Sequence, residues 1–152
     1  KKDNPGNGYK LVLAGRKGFG FEEYEKLINE SKYKKDIIVT GYLSSNDVIK
    51  LYKEASAYIF PSVYEGFGST QLECMVNHLP LILSKIPTNI EVSKAYGLFF
   101  DLEDGQGLEK QMNKIVDGEY DYQEKNKVAD DICQRYSWES LIDSYIEVYK
   151  DM

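Results

Sequence analysis

Two acids around a glycine turn set the chemistry open to this chain. Glu65 begins the run Glu65-Gly66-Phe67-Gly68-Ser69-Thr70-Gln71-Leu72-Glu73, and a second glutamate ends it. The apolar stretch Ala57-Tyr58-Ile59-Phe60-Pro61 just before it reads as a buried strand. Past Ser69 the apolar residues Leu72, Met75, Val76 and Leu79 recur at the spacing of one helix face. A loop therefore joins a strand end to a helix start, which aims unpaired backbone N–H groups and the positive end of the helix dipole at one spot. Gly66 and Gly68 lack a Cβ, so backbone can approach a ligand closely there and can take φ > 0. Such a loop suits an anion. A carboxylate beside it would repel a phosphate but accept hydrogen bonds from hydroxyl groups. An anion site flanked by two hydroxyl-seeking acids describes a nucleotide-sugar. Each acid also has a plainer reading: Glu65 as a favourable charge before a helix N-terminus, and Glu73 as a surface residue of that helix.

The elements that must position these groups alternate. Strands are expected at Lys10–Ala14, Asp36–Thr40, Ala57–Pro61, Pro80–Ser84 and Gly97–Asp101, and helices at Phe21–Lys32, Asn46–Glu54, Ser69–Asn77 and Leu108–Val116. Ser44 followed three residues on by Asp47 reads as a helix cap. Two helices close the chain: a highly charged one at Tyr122–Arg135, and one capped by Ser137 that carries Trp138, Leu141, Ile142, Tyr145, Ile146 and Tyr149 as an apolar stripe. Near-continuous apolar strands between helices predict an α/β fold, an open parallel sheet with helices on both faces. Ligands of such sheets bind at the carboxyl ends of strands. Gly15-Arg16, Gly41-Tyr42 and Glu65–Ser69 all fall at that edge, and three separate segments are expected to meet on one rim.

Arg16 and Lys17 are the paired cations of that rim, serving either a diphosphate or merely a solvated turn. The glycines around them lack the Gly-Lys-Ser/Thr ending of a P-loop and the dinucleotide fingerprint. Tyr42 and Leu43 are suited to backbone and apolar contact with a base, or to packing on the core. His78, the only histidine, stands before Pro80 at a helix end, where a dipole partner is the simpler role than a catalyst. With one histidine and two distant cysteines, Cys74 and Cys133, no transition-metal spacing or redox pair arises. That cysteine usage is expected of a reduced, cytosolic protein. A net charge of −6 over 152 residues argues against a general nucleic-acid or membrane-surface binder. No apolar run is long enough to span a bilayer. Residues 1–9 are polar, a tail or linker, and residues 10–152 fit one domain.

In order and spacing these segments resemble the donor-binding C-terminal domain of retaining glycosyltransferases of the group 1, E-x7-E type, which have two Rossmann-like domains. Glu65 through Glu73 resembles the signature itself. Leu11-Val12-Leu13-Ala14-Gly15-Arg16-Lys17-Gly18 is similar to that family's second strand and its turn, and Gly41-Tyr42-Leu43-Ser44 to the loop beneath the nucleotide base. Asn77-His78-Leu79-Pro80-Leu81-Ile82 resembles a strand opening, and Tyr136-Ser137-Trp138 the start of the last helix. The likeness covers nearly all of residues 10–150.

The resemblance implies a hexosyltransferase using a GDP- or UDP-linked sugar in polysaccharide, lipopolysaccharide or capsule assembly, with no cofactor or metal required. It implies that Glu65 lies by the donor sugar as the catalytic residue, and that Glu73 takes the ribose hydroxyls. Gly66, Phe67, Gly68, Ser69 and Thr70 would present amides to sugar or phosphate, with Arg16, Lys17, Tyr42 and Leu43 as further donor contacts. The acceptor, a glycan or lipid-linked sugar, would bind a preceding domain, and nucleic acid has no part. The setting implied is cytoplasmic, extending to the inner face of the membrane for a full-length enzyme. In the family a central strand, with an Arg and a Lys in the loop after it, precedes the segment similar to Leu11–Gly15. The chain is therefore expected to be a piece of a longer enzyme, inactive alone. A non-catalytic nucleotide-sugar module and a sugar-nucleotide epimerase stay open, although the epimerase needs acid–base groups that one His does not supply.

Overall fold

The computed structural model describes residues 8–150, in two compact units whose boundary falls between Val48 and Ile49. The expected tail, residues 1–9, lies almost wholly outside the described residues.

In the first unit β1 (Leu11–Ala14) pairs in parallel with β2 (Ile37–Gly41), in register from Leu11 opposite Ile37 to Leu13 opposite Val39. Between them runs α1 (Phe21–Glu30), which a 3₁₀ turn at Lys34–Asp36 returns to β2. The helix α2 (Ser45–Glu54) follows, and the boundary between the units falls within it. Its start is the expected cap: the Asp47 amide donates to Ser44 Oγ at 3.3 Å, and Ser44 Oγ donates to the Asp47 carboxylate at 2.6 Å. No side chain in this unit's described residues is fully buried, and Leu11, Val12, Ile38 and Val39 on the strands stay exposed.

The second unit holds the core. Its sheet has the order β3-β4-β5, all parallel: β3 (Tyr58–Phe60), β4 (Leu81–Ser84) and β5 (Leu98–Phe100). Every residue of β4 is buried, as a central strand covered on both faces must be. Around it stand α3 (Ser69–Val76), α4 (Pro87–Ser93), α5 (Gly107–Val116), α6 (Tyr122–Arg135) and α7 (Trp138–Lys150). Asp121 caps α6 by accepting from the Glu124 amide at 3.0 Å, and Ser137 caps α7 by accepting from the Ser140 amide at 3.2 Å. Along α7, Trp138, Ile142, Tyr145 and Tyr149 are exposed, so its apolar stripe is largely uncovered.

The fold is Rossmann-like α/β with parallel strands and flanking helices, as the alternation implies, but the five strands fall into two sheets and not one. Two other differences have local causes. The helix α4 was not expected, because its buried face is Asn89, Val92 and Ser93. Two polar residues on that face erase the apolar period by which a helix is recognised. The face of α3 is also turned from the one read in the sequence. Gln71, Cys74 and Met75 are its buried residues, while Val76 is 67% exposed.

A single polar network explains both. Gln71 Nε2 donates to Asn89 Oδ1 at 2.9 Å, Ser93 Oγ donates to Gln71 Oε1 at 2.5 Å, and Asn89 Nδ2 donates to the Ser84 carbonyl at 2.9 Å. Burying amides and hydroxyls costs free energy unless they are paired, and here each finds a partner.

Candidate functional site

The loop from Pro61 to Gly68 leaves the carboxyl end of β3 and enters α3, the position expected of it. Gly68 is the hinge. At φ 76 it is left-handed, and a Cβ there would strike the Gln71 amide and meet the Phe60 ring at 3.4 Å. The freedom expected of both glycines is needed only here: Gly66 lacks a positive φ, and open space lies where its Cβ would be. No side chain caps α3. The Gln71 amide turns back to the Gly68 carbonyl at 2.9 Å, whereas the amides of Gly66 through Thr70 donate to no acceptor among the described residues. Such donors at a helix N-terminus are the means by which backbone holds an anion.

Residues remote in sequence fix the loop. Ser84 Oγ donates to the Ser62 carbonyl at 2.5 Å, and Thr88 Oγ1 to the Glu65 carbonyl at 2.9 Å. Ser84 belongs to the network that locks Gln71 and Asn89, and Thr88 stands next to Asn89 on α4, so the buried interior of the unit reaches the loop. At the loop's tip Phe67 meets the Tyr136 ring edge-on, with centroids 5.3 Å apart.

The two glutamates are held alike. Ser62 Oγ donates to Glu65 Oε1 at 2.8 Å, and Tyr52 Oη donates to Glu73 Oε2 at 3.0 Å. In each carboxylate the other oxygen has no protein donor among the described residues. Tyr52 comes from α2 and stacks edge-on against Tyr58, their centroids 6.0 Å apart. Burial first, then the neighbouring Cys74 and Glu73, push the Tyr52 phenol well above its ordinary range, so it stays a proton donor. Sequence reasoning found both glutamates and neither of their partners. Ser62 stands three residues from Glu65 in a stretch read only as a loop, and Tyr52 is one tyrosine among thirteen.

In the first unit the expected neighbours also meet. Gly15 bonds its amide to the Gly41 carbonyl at 3.0 Å, which brings the two turns together at the carboxyl edge of β1 and β2. The Arg16 guanidinium then lies 4.8 Å from the centre of the Tyr42 ring, a cation–π contact on an exposed surface. Leu43 follows, half-buried. Lys17 is engaged elsewhere, paired with Glu25 at 2.7 Å.

His78 lies at φ 52 just past the end of α3, with Nε2 2.9 Å from Asp130 on α6. That contact ties the end of α3 to α6, a structural role different from the dipole partner expected of it. Among the described residues no three His, Cys, Asp or Glu side chains gather as a metal-ligand set, and no helix is long and apolar enough to cross a membrane.

The chain is similar to known proteins in sequence and in fold. The family model described as glycosyl transferases group 1 matches residues 2–131. The O-antigen chain mannosyltransferase B of Escherichia coli is 28% identical over 144 residues, a match that takes in 93% of this chain and 37% of that protein. A serotype-specific mannosyltransferase of Escherichia coli is 31% identical over 143 residues, covering 91% of this chain and 17% of its own length. The solved apo structure of a lipopolysaccharide outer core galactosyltransferase superposes with a TM-score of 0.73 at 18% identity, over 94% of this chain and 41% of that one. The chain thus spans well under half the length of these relatives.

Proposed function

The chain belongs to the family of group 1 glycosyl transferases, and on that premise we propose that it holds the nucleotide-diphosphate sugar donor for retaining transfer of a hexose to a glycan or lipid-linked acceptor. The observation that carries this reading is the pair of glutamates set around an uncapped helix N-terminus. The free amides from Gly66 to Thr70 stabilise the sugar or the departing diphosphate, whose negative charge grows as the glycosidic bond breaks. Glu65 lies toward the donor sugar, and Glu73 accepts from the ribose hydroxyls. In the first unit the Arg16–Tyr42 contact, with Leu43 and Lys17, offers a cationic and aromatic surface to the base and phosphates. Mannose is the favoured sugar, supported by the relatives named mannosyltransferases. The acceptor is taken by a further domain in the full-length enzyme, which works in the cytoplasm at the membrane's inner face.

The test is donor binding in the full-length enzyme. Glu73→Gln exchanges a charged acceptor for a neutral one and is expected to weaken GDP or UDP by roughly ten- to a hundredfold. Glu65→Gln is expected to lower kcat far more than nucleotide affinity. Wild-type donor kinetics in both variants would overturn the reading. Nucleotide binding without sugar transfer in the wild-type enzyme would instead favour a non-catalytic module.

A further inference from the structure

The pairing of Tyr52 with Glu73 carries a consequence for ligand selection, one that rests on the ribose reading of Glu73. A glutamate on an exposed helix face has free torsions, and fixing such a side chain on binding costs rotamer entropy. Glu73 is exposed on α3, yet its Oε2 is bonded at 3.0 Å to the hydroxyl of a tyrosine that is only 9% exposed. Tyr52 in turn cannot swing, because its ring abuts Tyr58, and Tyr58 lies against Phe60 with centroids 5.9 Å apart. An aromatic row from α2 to β3 thus ends on the carboxylate.

We propose that Tyr52 is a positioning residue that sets the preference for ribose: it holds Glu73 through Oε2 and turns Oε1 outward to accept from vicinal hydroxyls. A phenol has one proton, and Glu73 receives it, so the donor is committed before any ligand arrives. Affinity gained by this preorganisation depends on hydroxyls that only a ribose provides.

The experiment compares GDP and UDP with their dideoxyribose analogues, titrated by NMR into the full-length enzyme as wild type, Tyr52→Phe, Glu73→Gln and the double variant. Phenylalanine keeps the ring against Tyr58, and a circular dichroism melt checks the fold. Tyr52→Phe is expected to weaken the ribonucleotide by about three- to tenfold and to leave the dideoxy analogue unchanged. In the Glu73→Gln background it should add nothing. A ring-fluorinated tyrosine at position 52, which keeps both ring and donor, should retain the ribose preference. Equal loss for both nucleotides in Tyr52→Phe, or loss for neither, overturns the positioning role. If Glu73→Gln abolishes the ribose preference while Tyr52→Phe keeps it, only the role of Tyr52 falls. If Glu73→Gln keeps it, the ribose reading of Glu73 fails and the proposal fails with it.

Discussion

The two units use the same grammar of parallel strands and amphipathic helices with very different results. Leu11-Val12-Leu13 and Ile37-Ile38-Val39 are as apolar as Leu81-Ile82-Leu83, but only the last triplet is fully buried. The second unit buries Met75, Leu79, Val92 and Tyr96 around that strand, whereas the first has no fully buried side chain among its described residues. An apolar strand states what can be buried; the neighbouring layers decide what is. Since burial of apolar area is the main favourable term in folding, the comparison predicts unequal stability within one chain.

The largest expected effect is in hydrogen exchange. Local opening free energies run from near zero up to the global stability. The amides of β1 and β2 should therefore exchange at least about a thousandfold faster than those of β4, given a global stability of several kcal/mol. Equal protection measured by NMR would show that the first unit is as firmly held as the second.

Next comes the polar network. Gln71→Ala removes a side chain with no solvent exposure and strands Ser93 Oγ and Asn89 Oδ1 in the interior. A loss of about 2–4 kcal/mol is expected from the cavity and the unpaired groups together, and the loop at Glu65 should loosen with it. Asn29→Ala, at an exposed position of α1, should stay within about 0.5 kcal/mol. Thermal melts of the two variants sharpen the contrast, and comparable losses would break it.

That network also marks where the sequence stopped being legible. Strand and helix alternation and the Ser44–Asp47 and Ser137 caps follow from local pattern, and the meeting of Arg16 with Tyr42 from the place of both at the carboxyl ends of strands. The same holds for the turn carrying Glu65 and Glu73. The partners of those glutamates' surroundings do not. Tyr52 reaches Glu73 across 21 positions and Thr88 reaches Glu65 across 23. No periodicity records such pairs. The unexpected α4 and the rotated face of α3 have the same origin, since polar residues satisfied by one another take positions that an apolar period assigns to hydrophobic ones.

Alkali should separate the units in a smaller way. Every tyrosine and cysteine whose ionisation burial clearly resists lies in the second unit: Tyr52, Tyr58, Tyr96, Tyr120, Cys74 and Cys133. Tyr120 is pushed up to about 12, chiefly by burial. A group whose folded pKa is raised contributes stability that is complete below its unfolded value and is lost as pH climbs through the folded one. For Tyr120 that window runs from 10.0 to about 12. The melting temperature should fall across it while the signals of β4 and α3 are lost. A melting temperature flat to the top of that range would mean these phenols are not protected by the fold.

The smallest effect concerns the first unit's own surface and bears on whether Lys17 serves a ligand. Lys17 Nζ lies 2.7 Å from Glu25 Oε1, but the two side chains are 56% and 51% exposed, where such a pair contributes about 0–1 kcal/mol and is screened by salt. Glu25→Gln should therefore leave the melting temperature almost unchanged. It also frees the cation. If Lys17 contacts a donor phosphate, the pair competes with the ligand, and removing Glu25 should raise GDP or UDP affinity by up to about threefold at low salt, with the gain vanishing at high salt. Lys17→Ala should lower affinity over the same salt range. If neither variant alters nucleotide affinity at low salt, Lys17 belongs to a solvated turn, and Arg16 on the Tyr42 ring is left as the cation of that edge.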